Sequence, residues 1–381
     1  MNSSTPKAYD FLIVGAGLFG ATFAYWATQF GKKCLVIDQR SHTGGNTFCE
    51  DYNGIQVHKY GAHIFHTNHE PIWKFVTGLT PFNRYTNSPL ANCDGKLYNL
   101  PFNMNTFYQL WGVITPEQAK AKLKEQTAAY SHLEPANLEE QALKLVGTDI
   151  YNKLIKGYTE KQWGQSAKDL PAFIIKRLPL RFTYDNNYFS DKFQGIPIGG
   201  YNQLTAALLK NIEVKLNVNF FEDQNSLRNI AQHTVYTGAI DDFFDHTFGT
   251  LEYRSLDFKH NVLDTDNYQG NAVVNYCDAH VAHTRIIEHK HFEFGTQAHT
   301  VITHEYPAAW SKGAERYYPV NNDNNNKIFK QYQQKALATE ANVIFGGRLA
   351  EYTYYDMHQV IGSAIHKLNL FFEKDIYQLI K

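Results

Sequence analysis

The stretch from Asp10 to Asp38, DFLIVGAGLFGATFAYWATQFGKKCLVID, constrains the fold more than any other part of the chain. An apolar run, Phe11 to Val14, reads as a short strand. Gly15-Ala16-Gly17-Leu18-Phe19-Gly20 follows, then a helical pattern to about Phe30 closed by Gly31, and a second strand from Cys34 to Ile37 ending on Asp38. Each glycine has a physical task. Gly15 allows the tight turn, Gly17 lets backbone N–H groups approach a pyrophosphate, and Gly20 lets the helix lie close to the strand. The helix N-terminus adds unsatisfied N–H groups and a positive dipole end, with Leu18 and Phe19 at its start. Asp38, eighteen residues after Gly20, is spaced to accept from a ribose hydroxyl. Set between two strands, the fingerprint predicts a dinucleotide-binding βαβ unit. The uncharged run Phe11 to Gly31 is long enough to resemble a membrane span, but four glycines, Gln29 and two threonines make it a poor one.

At 381 residues the chain exceeds one ordinary core and predicts two or three lobes. Lys+Arg number 36 against 37 Asp+Glu, so no broad basic face is available to nucleic acid. The 25 Tyr, 26 Phe and 5 Trp supply core and also rings that can face a flat ligand. The four cysteines are scattered, without metal-like spacing, and no cleavable signal is evident. The expectation is a cytoplasmic protein without a membrane span.

After Asp38, Gly44-Gly45-Asn46 marks a sharp turn where backbone can approach a ligand. Val57 to His69 carries four histidines in an extended pattern, with no carboxylate or cysteine nearby to complete a ligand set, so no metal site is expected. Leu90 to Asn99 reads as a hairpin turning at Asp94-Gly95. Thr115-Pro116-Glu117-Gln118 is a capping box opening a helix to about Tyr130; a second opens at Asn137 and stops near Gly147, and a third begins at Thr148 or Asp149. Leu170 to Gly200, broken by three prolines, reads as a long loop of the kind used as a lid. A helix from Tyr201 and strands near Val214 to Phe220 and Thr234 to Gly238 follow. Alternating segments between Leu251 and Thr303 predict an antiparallel sheet. Asn321 to Asn326 reads as a polar loop. Asn342 to Phe345, Gly346-Gly347-Arg348 and a helix from Asp356 repeat the opening strand, glycine turn and helix.

The expected class is α/β: a Rossmann-like dinucleotide lobe with an inserted small helical lobe and an antiparallel sheet lobe. Residues 1–80, 196–242 and 318–381 are assigned to the first, 103–170 to the helical lobe with a mobile loop near 171–180, and 81–102, 181–195 and 243–317 to the sheet lobe.

Spacing alone does not separate NAD from FAD. Nine segments go further: GAGLFGATFA, IDQRSHTGGN, KYGAHIFHTN, GYTEKQWG, IIKRLPLRF, NNYFSDKFQGIP, TRIIEHKHF, YYPV and GGRLAEYTYYDMHQVIGSA. In this order they resemble the UDP-galactopyranose mutases along essentially the whole chain. The resemblance implies an FAD-dependent isomerase, active when the flavin is reduced, that interconverts UDP-galactopyranose and UDP-galactofuranose without net redox. In that family the reduced flavin is the nucleophile toward the anomeric carbon. It also implies an external reductant such as NAD(P)H, a place in cell-surface polysaccharide synthesis, and a fold that often dimerises.

Carried over by motif, Arg177 and Arg285 match the diphosphate arginines, and a guanidinium fork suits phosphate well. His63 matches the histidine beside the flavin ring, and Arg348 an arginine close to flavin and sugar. Tyr158, Trp163, Tyr188 and Phe189 match nucleotide and substrate contacts. One or both of Tyr317 and Tyr318, with Tyr354, match tyrosines on the diphosphate. Asp356, which also reads as an N-cap, matches an acid near sugar and flavin. The cofactor set is Gly15, Gly17, Leu18, Phe19, Gly20, Asp38, Gly45, Asn46, His63, Arg348, Asp356 and Met357. Leu154 and Ile155 stand where some relatives carry Phe and Thr, a departure in the wall expected around the uracil. Two rivals share parts of this reading: an amine oxidase- or desaturase-like flavin oxidoreductase, which removes hydride, and a non-catalytic UDP-sugar-binding flavoprotein.

Overall fold

A computed structural model describes residues 7–175 and 180–380. Its first layer is the opening unit: strand β1 (Tyr9–Val14), helix α1 (Leu18–Gln29) and strand β2 (Cys34–Asp38). All five residues of β2 are buried, as a central strand covered on both faces requires. These strands belong to a five-stranded parallel sheet, ordered Val343–Phe345, Ala231–Tyr236, β1, β2, Glu213–Leu216. Strands more than 300 residues apart thus lie two places apart, and the C-terminal glycine turn joins the first at one sheet end.

One face of this sheet is covered by α1, by Tyr201–Leu208 and by the stripe Ile361, Ala364, Ile365, Leu368 of the helix Met357–Phe372. The other is covered by Phe220, Phe243, Phe244 and Tyr332. Tyr332 belongs to the helix Asp323–Thr339 and corrects the polar-loop expectation for Asn321 to Asn326. Asn322 is its N-cap, accepting from Asn325 N–H at 2.8 Å, and buried Asn325 donates to the Val320 carbonyl at 2.9 Å. Asparagines that read as a loop by composition here satisfy a helix start.

The second sheet has seven strands, ordered Tyr318–Pro319, Tyr253–Leu263, Thr300–Ala309, Arg285–Glu288, Val273–Tyr276, Leu90–Cys93, Lys96–Asn99. It is antiparallel except where Val273–Tyr276 meets Leu90–Cys93. The hairpin turns at Asp94 and Gly95, both at positive φ. Between these strands in sequence lie the helices Pro116–Thr127, with the expected Thr115 capping box, and Leu138–Ile150, packed around Leu138, Ala142, Val146 and Ile150. Gly147, at φ 74° and ψ −174°, is non-helical and splits this run into two helical segments, as the expected stop near Gly147 and restart at Thr148 or Asp149 require. A wide π-helical turn, Tyr151–Lys156, leads into Gly157–Trp163. Among the described residues of the expected loop 170–200, Ala172–Ile175 and Phe193–Gly195 are the regular pieces. Among the described residues no helix is long and apolar enough to cross a membrane.

Candidate active site

Three glycine turns, remote in sequence, close on one another at the C-terminal ends of the parallel strands. A Cβ on Gly15 would lie 1.9 Å from Thr237 Oγ1, and one on Gly20 would lie 2.0 Å from the Gly15 carbonyl oxygen. Both positions exclude a side chain, and Gly15 also takes φ 110°. Gly17 faces Gly45, and Gly346 lies against the Phe19 ring. The result is a cleft of about 1180 Å³ lined by Gly15, Gly17, Leu18, Phe19, Asp38, Gly45, Asn46, His63, Arg348 and Met357. Gly20 and Asp356 do not line it: Gly20 seats α1 on the strand, and Asp356 caps the last helix, its N–H donating to Gln359 Oε1 at 2.8 Å.

Asp38 is buried, and its two carboxylate oxygens accept from Ala16 N–H at 2.8 Å and Arg40 N–H at 2.9 Å. It braces the glycine turn while keeping lone pairs for a ribose hydroxyl. The cleft suits an elongated dinucleotide. Its glycine walls allow close backbone approach, the α1 N-terminus faces phosphate, and an acid stands at the ribose end.

At the other end His63 donates through Nδ1 to the Gly61 carbonyl at 2.7 Å, which leaves the lone pair on Nε2. Burial pushes its pKa down to about 4; the Gly61 carbonyl opposes this and Arg348 adds to it. His63 is therefore a neutral acceptor near pH 7. Arg348 donates to the carbonyls of Tyr317 at 3.2 Å and Tyr355 at 2.7 Å, and its guanidinium lies 5.1 Å from the Tyr354 ring centre. With carbonyls as its hydrogen-bond partners it keeps its full positive charge.

Beyond Arg348 the tyrosines and Arg285 converge. Arg285 pairs in strand register with Glu305, and its Nε lies 3.1 Å from Glu305 Oε1. Its Nη2 donates to the Tyr158 phenol oxygen at 2.6 Å. Burial works against the charged form of Arg285, yet Glu305 and the Tyr158 and Tyr318 phenols hold its pKa above the ordinary value. Desolvation of the phenol end raises the Tyr158, Tyr188 and Tyr354 pKa values, although the Tyr188 and Tyr354 side chains are otherwise exposed, and Arg285 opposes the rise in all three. Tyr318 lies 5.7 Å from Tyr354 between ring centres, on the same side. Tyr317 is buried and turned toward Phe258. Tyr317 precedes the strand Tyr318–Pro319 and packs on Phe258, whereas Tyr318 lies beside Tyr354, so of the open pair Tyr318 joins the cluster.

The Tyr158 helix is held by close backbone contact. A Cβ on Gly157 would lie 2.1 Å from the Cys277 carbonyl oxygen. Lys161 Nζ donates to the carbonyls of Tyr276, Val281 and His283 at 2.7 to 3.1 Å. Trp163 ends this helix, half-buried against the helical core, and has no hydrogen bond to the arginine cluster. Phe189 stacks on His66 with ring centres 3.7 Å apart, and His66 is paired with Asp191. Leu154 and Ile155 are buried in the helical core. Arg177 lies outside the described residues, as does part of the expected mobile loop. Of the histidine run, His69 caps the helix Glu70–Leu79 and His58 stacks on Phe292. Among the described residues Asp241, Asp242 and His246 come close enough to share a cation, but Asp242 is already engaged by Arg316. Glu305 is the member of the site that the sequence did not point to. Its signal was an acid at an inward position of an alternating strand, and its meaning depends on the strand paired with it.

The fold and this cleft define a Rossmann-type flavoprotein. A family model described as UDP-galactopyranose mutase matches residues 153–354, and an NAD(P)-binding Rossmann-like model matches residues 13–79. The chain belongs to the UDP-galactopyranose mutase family, an isomerase family. It is 40% identical over 373 residues to a dTDP-fucopyranose mutase of Escherichia coli, covering 96% of this chain and 98% of that one. It is 38% identical to a Klebsiella pneumoniae protein named "Probable UDP-galactopyranose mutase", covering 93% of each. Among solved structures a reduced UDP-galactopyranose mutase superposes with a TM-score of 0.71 over 97% of each chain, at 14% identity.

Proposed function

We propose that the protein interconverts the pyranose and furanose forms of a nucleotide-linked galactose, with UDP-galactose as substrate and FAD as cofactor. The observation that carries this is Arg348, which lines the dinucleotide cleft and also lies against Tyr354 of the Arg285 cluster. A ring bound at the His63 end of the cleft would therefore adjoin cations and phenols suited to a diphosphate.

Reduced flavin, when bound, supplies a nucleophile for the anomeric carbon and returns unchanged. The chain's own residues do the rest. Arg285, with Arg177 from the loop near 171–180, neutralises charge developing on the departing diphosphate. Tyr158, Tyr318 and Tyr354 donate O–H groups to phosphate oxygens, their pKa values all held above the ordinary phenol value. Trp163, Tyr188 and Phe189 hold the base and ribose side. His63 offers Nε2 as an acceptor, and Arg348 and Asp356 orient the sugar. The division into lobes 1–80 with 196–242 and 318–381, 103–170, and 81–102 with 181–195 and 243–317 is part of the same reading. So are an external reductant such as NAD(P)H, a homodimer and a cytoplasmic location.

A second substrate is favoured by one observation, the 40% identity to a dTDP-fucopyranose mutase. That substrate adds a methyl to the base and removes a ribose hydroxyl and the sugar 6-hydroxyl, and the apolar Leu154 and Ile155 are compatible with a more apolar base. Chromatography of dithionite-reduced protein with UDP-galactofuranose, and separately with dTDP-fucofuranose, tests both. Pyranose product without stoichiometric reductant use supports the proposal. Oxygen-dependent turnover of another substrate, or binding without conversion, overturns it.

A further inference from the structure

The segment from Trp310 to Arg316 joins strand Thr300–Ala309 of the second sheet to Tyr318–Pro319, yet it lines the dinucleotide cleft. Neighbouring residues of this segment reach opposite sides of the cleft. Glu315 accepts from Arg40 Nη2 at 2.6 Å, just past the end of β2, and the same nitrogen donates to Asn46 Oδ1 at 2.9 Å. Arg316 grips Asp242 with both arms, at 2.6 and 2.8 Å, beyond the end of Ala231–Tyr236. Its guanidinium also lies 4.2 Å from the Trp310 ring centre. The two ion pairs thus bind one segment to two strand ends that flank β1. Ahead of the two anchors the tip folds back on Trp310, whose Nε1 donates to the Ala314 carbonyl at 2.8 Å, while Gly313 sits at φ 96° with open space around it and Lys312 and Ala314 are exposed.

We propose that Trp310–Arg316 is a latch across the adenosine side of the dinucleotide cleft, held shut by Glu315–Arg40 and Arg316–Asp242, and that cofactor exchange requires both pairs to open. This rests on the reading that the cleft holds FAD. The latch runs directly into Tyr317 and Tyr318. Opening it therefore disturbs the strand that presents a phenol to the Arg285 cluster.

The test is flavin release from purified holoprotein, read as the rise in free-FAD fluorescence after dilution, at about 0.05 and about 0.5 M NaCl. In the unmodified protein, salt accelerates release, because screening weakens both partly exposed pairs. Asp242→Asn releases flavin roughly tenfold faster at low salt, since the Arg316 fork loses its charged acceptor. Glu315→Gln gives a smaller acceleration at the more exposed anchor. The double variant releases fastest and loses the salt response, an outcome that general loosening of the fold would not produce. Should Asp242→Asn fail to fold, Glu315→Gln alone carries the test through its reduced salt response. Release rates and salt response equal to the unmodified protein in the variants overturn the latch. A purified protein that takes up no flavin overturns the cofactor reading and the latch together.

Discussion

The Arg285 guanidinium donates to the Tyr158 phenol oxygen at 2.6 Å, joining a sheet strand to a helix 127 residues earlier in the chain. Glu305 holds the other side of the same guanidinium, so its direction is set before any ligand arrives. The arginine proposed to meet the diphosphate, fixed in this way, loses little side-chain entropy on binding.

A double-mutant cycle tests this relationship. Tyr158→Phe should weaken UDP binding about tenfold, the scale of one charge-assisted hydrogen bond. Arg285→Ala should weaken it more, and the double variant should cost less than the sum. Calorimetric titration of UDP measures all three. Strictly additive effects would mean that Tyr158 and Arg285 act on the nucleotide independently.

Arg177→Ala and Arg285→Ala are each expected to lower turnover by about a hundredfold or more while keeping the flavin spectrum, because each removes charge stabilisation from the departing diphosphate. Single-turnover kinetics with reduced protein read this directly. A near-normal rate in either variant would assign the diphosphate to other residues.

The glycines of the fingerprint separate by role. A Cβ at Gly17 comes no closer than 3.8 Å to a neighbour, so Gly17→Ala should leave the thermal midpoint of the apoprotein within about 2 °C while weakening FAD binding at least about tenfold. At Gly20 the Cβ would lie 2.0 Å from the Gly15 carbonyl, and Gly20→Ala should destabilise the fold by about 3 kcal/mol. Calorimetry and flavin titration on both variants check the split; matching losses in the two properties would remove it.

Stability should fall on mild acidification. Burial pushes His63 down to about 4 and His289 to about 3, and holds His58 well below its ordinary value. The unfolded chain takes protons at these sites near pH 6.5, whereas the folded chain refuses them until pH 4 or below. The unfolded state therefore binds more protons across that window, and stability drops as pH falls from about 6.5 toward 4. His289 is buried just past the end of the strand Arg285–Glu288, with Nε2 2.6 Å from Thr303 Oγ1, and His289→Gln should flatten part of the slope. Thermal midpoints across the range are the measurement, and a midpoint indifferent to pH would contradict the buried neutral histidines.

Much of this architecture was legible in local pattern. Strand, glycine turn, helix and acid at Asp10–Asp38 appear where spacing put them, because a βαβ unit forms from contacts within about thirty residues. The Thr115 capping box and the Asp94-Gly95 hairpin are local for the same reason. Composition misled at Asn321 to Asn326, where one asparagine is a cap and another a buried hydrogen-bonding residue. Which of Tyr317 and Tyr318 lies beside Tyr354 could not be read from a dipeptide; it depends on where the strand Tyr318–Pro319 begins, and that strand exists only through its pairing with Tyr253 and Arg254.

The sequence alone determined the cleft's chemistry: glycines where backbone must approach a ligand, an acid at the ribose end, and arginines and aromatics of the types that bind a diphosphate and a base. Tertiary structure alone decided that Gly17 meets Gly45, that Phe19 lies against Gly346, that Glu305 aims Arg285 at Tyr158, and that Glu315 and Arg316 bind across the cleft. Those relationships join segments from tens to more than three hundred residues apart. They depend on strand register and on which faces the two sheets present, and neither is encoded within any one stretch of chain.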